Sequence, residues 1–398
     1  MIENGIFHAK THHGLEALLQ AELERAGAEY IFALPGAVRF QAADEQLYRF
    51  LLQTRLTTGL ELCLSQPLDI TQTDLPGLVA SVDWTEVLPV HSTYRVQAFE
   101  DGVTGVGLQK LATELERGIG QVFQQKFEAE PKVVKEENEP EFVVNIQISS
   151  NGSCQIMLEA GGDVLQRRGR LVSPKHSVLS PAMAAGLIML SDWDGESPMI
   201  DPFANDGVLV LEAARYAKKR TPLFEDDSLR MKKWRTFRHA LWKKMREEVV
   251  DQLRDDVDWI MGFDSNPDNI SRIQFSARAV RLNNNIRLRV SKPNMLNYPK
   301  MTGHIMTAPP VDVNLRLLGD FARKTKMSAG GYKMGLFSSI ANLDTVVGMK
   351  PEKNRLLEYN GRPFSFMEFT IFNKSRAGRK PSARSKADET STPGRKLK

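Results

Sequence analysis

"PMIDPFANDGVLVLEAARYAKK", residues 198–219, reads as a strand, a short loop and a helix. Met199 and Ile200 lead into Asp201-Pro202, and Gly207 closes the loop before a run whose apolar positions recur at helical spacing. The same grammar repeats downstream. "DWIMGFDSN" (258–266) is a strand, "PDNISRIQFSARAVRL" (267–282) a helix, and "IRLRV" (286–290) and "GHIMTAPP" (303–310) open further strands. A helix at 313–326, a strand at 333–339 and two strands at 355–360 and 364–372 complete the set. Strands alternating with helices predict an α/β fold with a parallel, doubly wound, Rossmann-like sheet, here ending in an antiparallel pair. Ligands of such sheets bind at the carboxyl ends of the strands, where Asp201, Asp264 and Ala308 fall.

Upstream, the pattern is α+β. "GIFHAKT" is a short strand, and Leu15, Leu18, Leu19 and Leu23 share one face of a helix that ends at Gly27. The strands "EYIFAL" and "GAVRFQA", a helix at 44–55 and a strand at 60–70 follow. A second unit has a helix at 74–84, the strand "TYRVQAFE", a long helix at 105–127, and two strands joined by Asn151-Gly152, a hairpin signal.

At 398 residues the chain is too long for one ordinary core. We expect three parts: 1–165, an α+β region; 166–373, the Rossmann-like domain; and 374–398, a disordered tail. No apolar run approaches a membrane span, and "MIENGIFHAK" has no signal-peptide core. Cys63 and Cys154 are the only cysteines, which suits reduced thiols in a cytoplasmic protein. The scattered histidines offer no metal spacing, and the His12–His13 pair does not project to one face. The net charge is +4, but Asn373–Lys398 alone carries nine Lys or Arg against Asp388 and Glu389. That tail is therefore +7 and the remaining body −3. A basic arm containing Arg379 and Lys380 suits nucleic acid electrostatically, or serves as a solubilising end.

The order of the segments "GLEALLQAELERAGAEY", "DWTEVLP", "LQRRGR", "DWDGESPMIDPFANDGVLVLEAA", "GFDSNPDNISRIQFSARAV" and "GHIMTAPP" resembles a known family. These are the bacterial large-subunit ribosomal RNA guanine-N2 methyltransferases that carry a THUMP RNA-binding domain. The resemblance runs from about residue 5 to 372. It implies that residues 1–165 are a ferredoxin-like and THUMP RNA-binding region, with S-adenosylmethionine as cofactor and structured, ribosomal RNA as partner. It also implies a catalytic Asn-Pro-Pro-aromatic turn. In such a turn the Asn and a proline carbonyl hold the poorly nucleophilic guanine amine while the ring stacks on the flipped base.

The matching positions here are Ala308, Pro309, Pro310 and Val311. Ala308 has no side-chain acceptor and Val311 no ring. Losing a buried hydrogen bond and a stacking contact, each worth roughly 1–3 kcal/mol, slows methyl transfer by orders of magnitude. The cofactor loop departs as well. The family's Cys-Gly-Ser-Gly is matched by Ala204, Asn205, Asp206 and Gly207 after Asp201. Asp264 matches the ribose-binding acid, Asn266 replaces a second acid, Asn294 stands where an Asp nears the adenine, and Pro181 replaces a Glu. Asp206 and Asn266 are also good helix caps, and Pro181 suits a first helical turn.

The expectation is an RNA-binding pseudoenzyme that binds S-adenosylmethionine weakly or not at all. The alternatives are an active methyltransferase with an altered pocket and a protein-interaction scaffold. For RNA contact the candidates are Arg167, Arg168 and Arg170 at the domain junction, and Lys232, Lys233, Arg235 and Arg238 in a basic stretch. Trp234, Phe237 and Trp242 in that stretch read more naturally as the packed face of a helix. No membrane or metal partner is expected.

Overall fold

The computed structural model describes residues 4–69, 75–100, 107–135, 138–168, 179–250, 252–254 and 256–373. Nine strands among them form the first sheet: β1 (Gly5–Lys10), β2 (Glu29–Leu34), β3 (Ala37–Ala42), β4 (Gly59–Cys63), β5 (Leu68–Asp69), β6 (Thr93–Glu100), β7 (Lys132–Val133), β8 (Phe142–Ile148) and β9 (Ser153–Glu159). Their order is β2-β3-β1-β4-β9-β8-β6-β7, with β5 beside β9. The antiparallel pairing of β4 with β9 fuses the two N-terminal units into one continuous surface.

The period of two along these strands divides the sheet. Phe7, Val38, Phe40, Leu60, Val144, Ile146 and Ile156 point to one side and are buried. The long helix Leu108–Lys126 contributes Leu111, Leu115, Ile119 and Phe123 to the same core. Leu15, Leu19 and Leu23 are each fully buried there, whereas Leu18 lies at the margin. The other side carries Glu61, Gln97, Asn145 and Glu159 together with the buried apolar residues Val143 and Met157.

Two expected elements are broken. The strand at 60–70 divides into β4 and β5 because Pro67 cannot donate to a ladder. At the break, Leu64 and Ser65 both donate their N–H to the Ile156 carbonyl, at 2.9 and 3.3 Å. The helix at 74–84 becomes Leu75–Ala80 and a separate turn, Trp84–Val87, which Asp83 caps through the Thr85 N–H at 3.2 Å.

The second sheet has seven strands among the described residues: β10 (Met199–Asp201), β11 (Ile260–Asp264), β12 (Ile286–Val290), β13 (Gly303–Thr307), β14 (Tyr332–Ser338), β15 (Lys353–Tyr359) and β16 (Arg362–Thr370). Their order is β12-β11-β10-β13-β14-β16-β15. β10 to β14 pair in parallel, and β16 pairs antiparallel with both β14 and β15. This is the doubly wound sheet with an antiparallel end that the sequence implied. The chain leaves β10 toward β11 and β12, then returns to place β13 on the other side of β10. That reversal opens a crevice at the ends of β10 and β13.

The halves share a core. Gly186, in the helix Pro181–Leu190, lies so close to Leu15 that a β-carbon there would sit 2.5 Å from Leu15 Cδ1.

Candidate functional site

Three strand ends meet at the crevice. Asp201 ends β10 and is 2% exposed. Its Oδ1 accepts the Thr307 hydroxyl at 2.6 Å and the Phe203 N–H at 3.1 Å. Burial nevertheless outweighs both bonds and pushes its carboxyl up to about 7, with the acids Asp264 and Asp206 adding to the rise.

The loop after β10 is closed by its own side chains. Asn205 adopts a left-handed backbone, φ 53°, a conformation Asn tolerates better than most residues. Its N–H donates to Asp264 Oδ2 at 2.9 Å. Its amide nitrogen bridges the Phe203 carbonyl at 2.7 Å and the Ala308 carbonyl at 2.9 Å. Asn205 thus ties the cofactor-type loop to the turn after β13. Gly207 follows at φ 81°, where a β-carbon would lie 2.6 Å from Ile273 Cγ2. Only glycine meets both demands. Gly207, not Asp206, holds the cap position of the helix Val208–Ala217, and Asp206 reaches the Val208 N–H at 3.4 Å. The other two helix-start readings match the structure. Asn266 caps its helix through the Asp268 N–H at 2.9 Å, and Pro181 occupies a first turn capped by Ser180.

Asp264 is 7% exposed, and its second carboxylate oxygen accepts the Asn266 N–H at 2.8 Å. Asn294 lies in the short turn Pro293–Met295, with its side-chain oxygen buried and unmet by any protein donor. At the β13 end Ala308 is 3% exposed and Pro309 is buried. Pro310 accepts the Val313 N–H at 3.0 Å, which makes the turn, and Val311 points outward at 59% exposure. The structure therefore brings Asp201, Asn205, Gly207, Asp264, Ala308 and Pro309 together.

The fit to an S-adenosylmethionine-type ligand is partial. Asp264 and Asn294 offer acceptors of the kind a ribose and an adenine amine need. Against that, Asp264 already holds a backbone amide on each oxygen, and the Asn205 side chain spans the loop.

The basic candidates separate. Lys233, Arg235 and Arg238 are exposed, Lys232 is half-buried on Asp227 at 3.0 Å, and Arg167 is exposed beside Asp163 at 3.3 Å. Trp234, Phe237 and Trp242 are buried, and the last two pack on Tyr48 of the N-terminal half. Arg168 corrects the expectation that it faces RNA. It is 1% exposed and pairs with Glu212 at 3.2 Å, so no phosphate can reach it. Glu212 also binds Arg215 at 2.7 Å, and Arg168 donates to the Arg55 carbonyl. Burial alone would raise the Glu212 carboxyl, but Arg215 and Arg168 hold it below the ordinary carboxylate value. This buried network joins the two halves; the sequence carries no motif for it beyond a Glu inside an apolar helix. Arg170, Arg379 and Lys380 lie outside the described residues.

The sheet order and the strand-end crevice define the class: a Rossmann-like, methyltransferase-fold protein. Residues 168–315 match the RMKL-like methyltransferase domain and residues 7–58 the RlmL ferredoxin-like domain. These two regions are thus similar to an RMKL-like methyltransferase domain and, ahead of it, to an RlmL ferredoxin-like domain. It is 26% identical over 317 residues to the ribosomal RNA large subunit methyltransferase K/L of Buchnera aphidicola subsp. Acyrthosiphon pisum, covering 77% of this chain and 44% of that protein. The chain thus spans less than half the length of this curated relative. Among solved structures, a methyltransferase-type protein complexed with SAH superposes with a TM-score of 0.83 at 20% identity, over 94% of this chain and 100% of that one. TrmN from Thermus thermophilus superposes at 0.68 and 18% identity, over 92% and 100%. At these identities the likeness is one of fold. Among the described residues no helix is long and apolar enough to cross a membrane.

Proposed function

We propose that the chain binds structured RNA, of ribosomal type, and that methyl transfer at its strand-end site is weak or lost. Residues 1–165 then act as the ferredoxin-like and THUMP RNA-gripping region, and 166–373 as a degenerate methyltransferase platform. The observation that carries the reading is the Asn205–Ala308 bridge. The position that in the resembling family presents an Asn acceptor to guanine is here an alanine, and its main-chain carbonyl is taken by Asn205. The first acceptor for the amine is missing and its nearest substitute is occupied, while Val311 supplies no ring. Lys233, Arg235 and Arg238 supply phosphate contacts on the exposed side of a segment whose aromatics are buried.

Two measurements test this. Calorimetric titration with S-adenosylmethionine should give a dissociation constant weaker than about 100 μM, some 5.5 kcal/mol of binding. Mass spectrometry of RNA digests after incubation with the cofactor should find no new methylguanine. Low-micromolar binding together with methylated product overturns the proposal. It would establish the second reading, an active S-adenosylmethionine-dependent RNA methyltransferase with an altered pocket. The open acceptor of Asn294 and the retained Asp264 favour that reading, because they leave a place for adenosine.

A further inference from the structure

Away from the strand ends, a groove of about 490 Å³ lies on the polar face of the first sheet. That is within the ~300–1,000 Å³ of small-ligand sites. Its floor is β4, β9, β8 and β6, and Arg230 of the second half forms part of its wall. Glu61 sits opposite Glu159 across β4 and β9, Asn145 opposite Gln97 across β8 and β6, and Phe99 two residues beyond Gln97 on the same face.

Glu61 is 2% exposed and Asn145 4%. Each spends half of its side chain on the other. The Asn145 amide donates to Glu61 Oε1, which also accepts the Lys10 ammonium at 2.8 Å. Glu61 Oε2 and Asn145 Oδ1 are left buried without any protein donor. A native interior rarely leaves a carboxylate oxygen and an amide oxygen unmet side by side. The ligand this groove suits must therefore bring N–H donors.

The surroundings narrow the chemistry. The Phe99 ring is 45% exposed and lies 5.6 Å from the Lys10 ammonium. Arg95 is held by the backbone carbonyls of Lys135 and Asn138 rather than by a carboxylate. An exposed ring suits a planar base. Of the acids that also line the groove, Glu139 and Glu159 are paired with Arg230 and Asp163 with Arg167, which leaves Arg95 as the rim cation for a phosphate. Among the bases, guanine carries N–H donors at adjacent positions, N1 and the exocyclic amine, beside a carbonyl that the Lys10 ammonium can meet. Adenine offers a bare N1 lone pair that a carboxylate repels.

We infer that this groove is a recognition site for one unpaired guanine of the bound RNA, with Glu61 and Asn145 as its acceptors and Phe99 as its stacking face. The inference rests on the RNA-binding reading above, but it concerns a surface separate from the methyltransferase site.

The test uses the full chain and fluorescence anisotropy with labelled pentanucleotides, uridine throughout except for a central guanine, inosine or adenine. A structured ribosomal hairpin without unpaired guanine is the reference. Guanine should bind at least about tenfold tighter than adenine, with inosine between because it lacks the exocyclic amine. Glu61→Gln is nearly isosteric and turns Oε2 into a donor, so it should erase or invert the preference toward adenine while leaving hairpin binding unchanged. Phe99→Ala, at an exposed position, should weaken every pentanucleotide by about tenfold without changing their order. Hairpin binding with equal affinity for all three pentanucleotides, or a preference indifferent to Glu61→Gln, overturns the groove and leaves the RNA-binding reading standing; only water then fills the acceptors. Failure to bind hairpin and pentanucleotides alike overturns both.

Discussion

The strand-end crevice of the second sheet and the polar groove of the first are built from the same materials and treated in opposite ways. In the crevice, Asn294 apart, the protein satisfies itself. Asp264 receives two backbone amides, Asp201 a hydroxyl and an amide, and the Ala308 carbonyl the Asn205 side chain. In the groove, Glu61 and Asn145 lie just as deep, yet each keeps an acceptor open. A buried polar group that is closed internally contributes to stability and is lost to binding; one left open costs stability and is available to a ligand.

The comparison breaks first at the network between the halves. Glu212→Ala leaves Arg168 and Arg215 buried without their carboxylate. It should cost about 3–5 kcal/mol, read as a fall in the urea midpoint. A loss under about 1 kcal/mol would mean that the Glu212 carboxylate is not what holds the two buried guanidiniums.

Asp201 sharpens the comparison through pH. Its carboxyl stays protonated in the folded chain to about pH 7, whereas an unfolded Asp ionises near pH ~4. Between those values the unfolded state binds fewer protons, so stability falls as pH rises through that window. Asp201→Asn removes this loss. Relative to the parent, the variant should gain about 2–4 kcal/mol between pH 4 and pH 8, a range set by the size of the shift. Paired denaturation curves at the two pH values measure it. A constant difference between the proteins would show that folding leaves the Asp201 carboxyl at its ordinary value.

Asn205 is the latch of the crevice. Asn205→Gly keeps the left-handed backbone and removes the bridge to Phe203 and Ala308. The expected cost is about 1–2 kcal/mol of stability, with a measurable gain in S-adenosylmethionine affinity by calorimetry. Unchanged affinity would mean that the loop closure is not what restricts the cofactor.

The smallest effect belongs to the exposed cations. Replacing Arg235 or Arg238 by Ala should leave stability within about 0.5 kcal/mol. On single-stranded RNA each replacement should lower the salt slope of log K by about 0.7. Arg168→Ala offers the converse, a large loss of stability through Glu212 rather than a change of salt slope.

Local pattern carried much of the architecture. The two-residue alternation in "AVRFQA" and the helical spacing of Leu15, Leu19 and Leu23 are printed in the chain, because these elements are buried on one side only. The strand-end position of Asp201, Asp264 and Ala308 followed from the same periodicities, and so did the burial of Trp234 and Trp242. Even the failures have local causes, such as Pro67 in a strand that the alternation carried through.

What the chain did not announce is who satisfies whom. Arg168 in "LQRRGR" looks like its exposed neighbour Arg167; only the packing of the two halves around Glu212 makes one a core residue and the other a surface charge. Asn205 reads as an intruder in a glycine loop until the turn after β13 supplies the carbonyl it holds. Glu61 in "GLELC" is one polar residue on a strand until β8 brings Asn145 beside it. Periodicity is a property of neighbours in sequence and survives without the fold. Hydrogen-bond closure and desolvation depend on groups that come from distant segments, so tertiary structure alone decides which polar residues are sealed and which remain open.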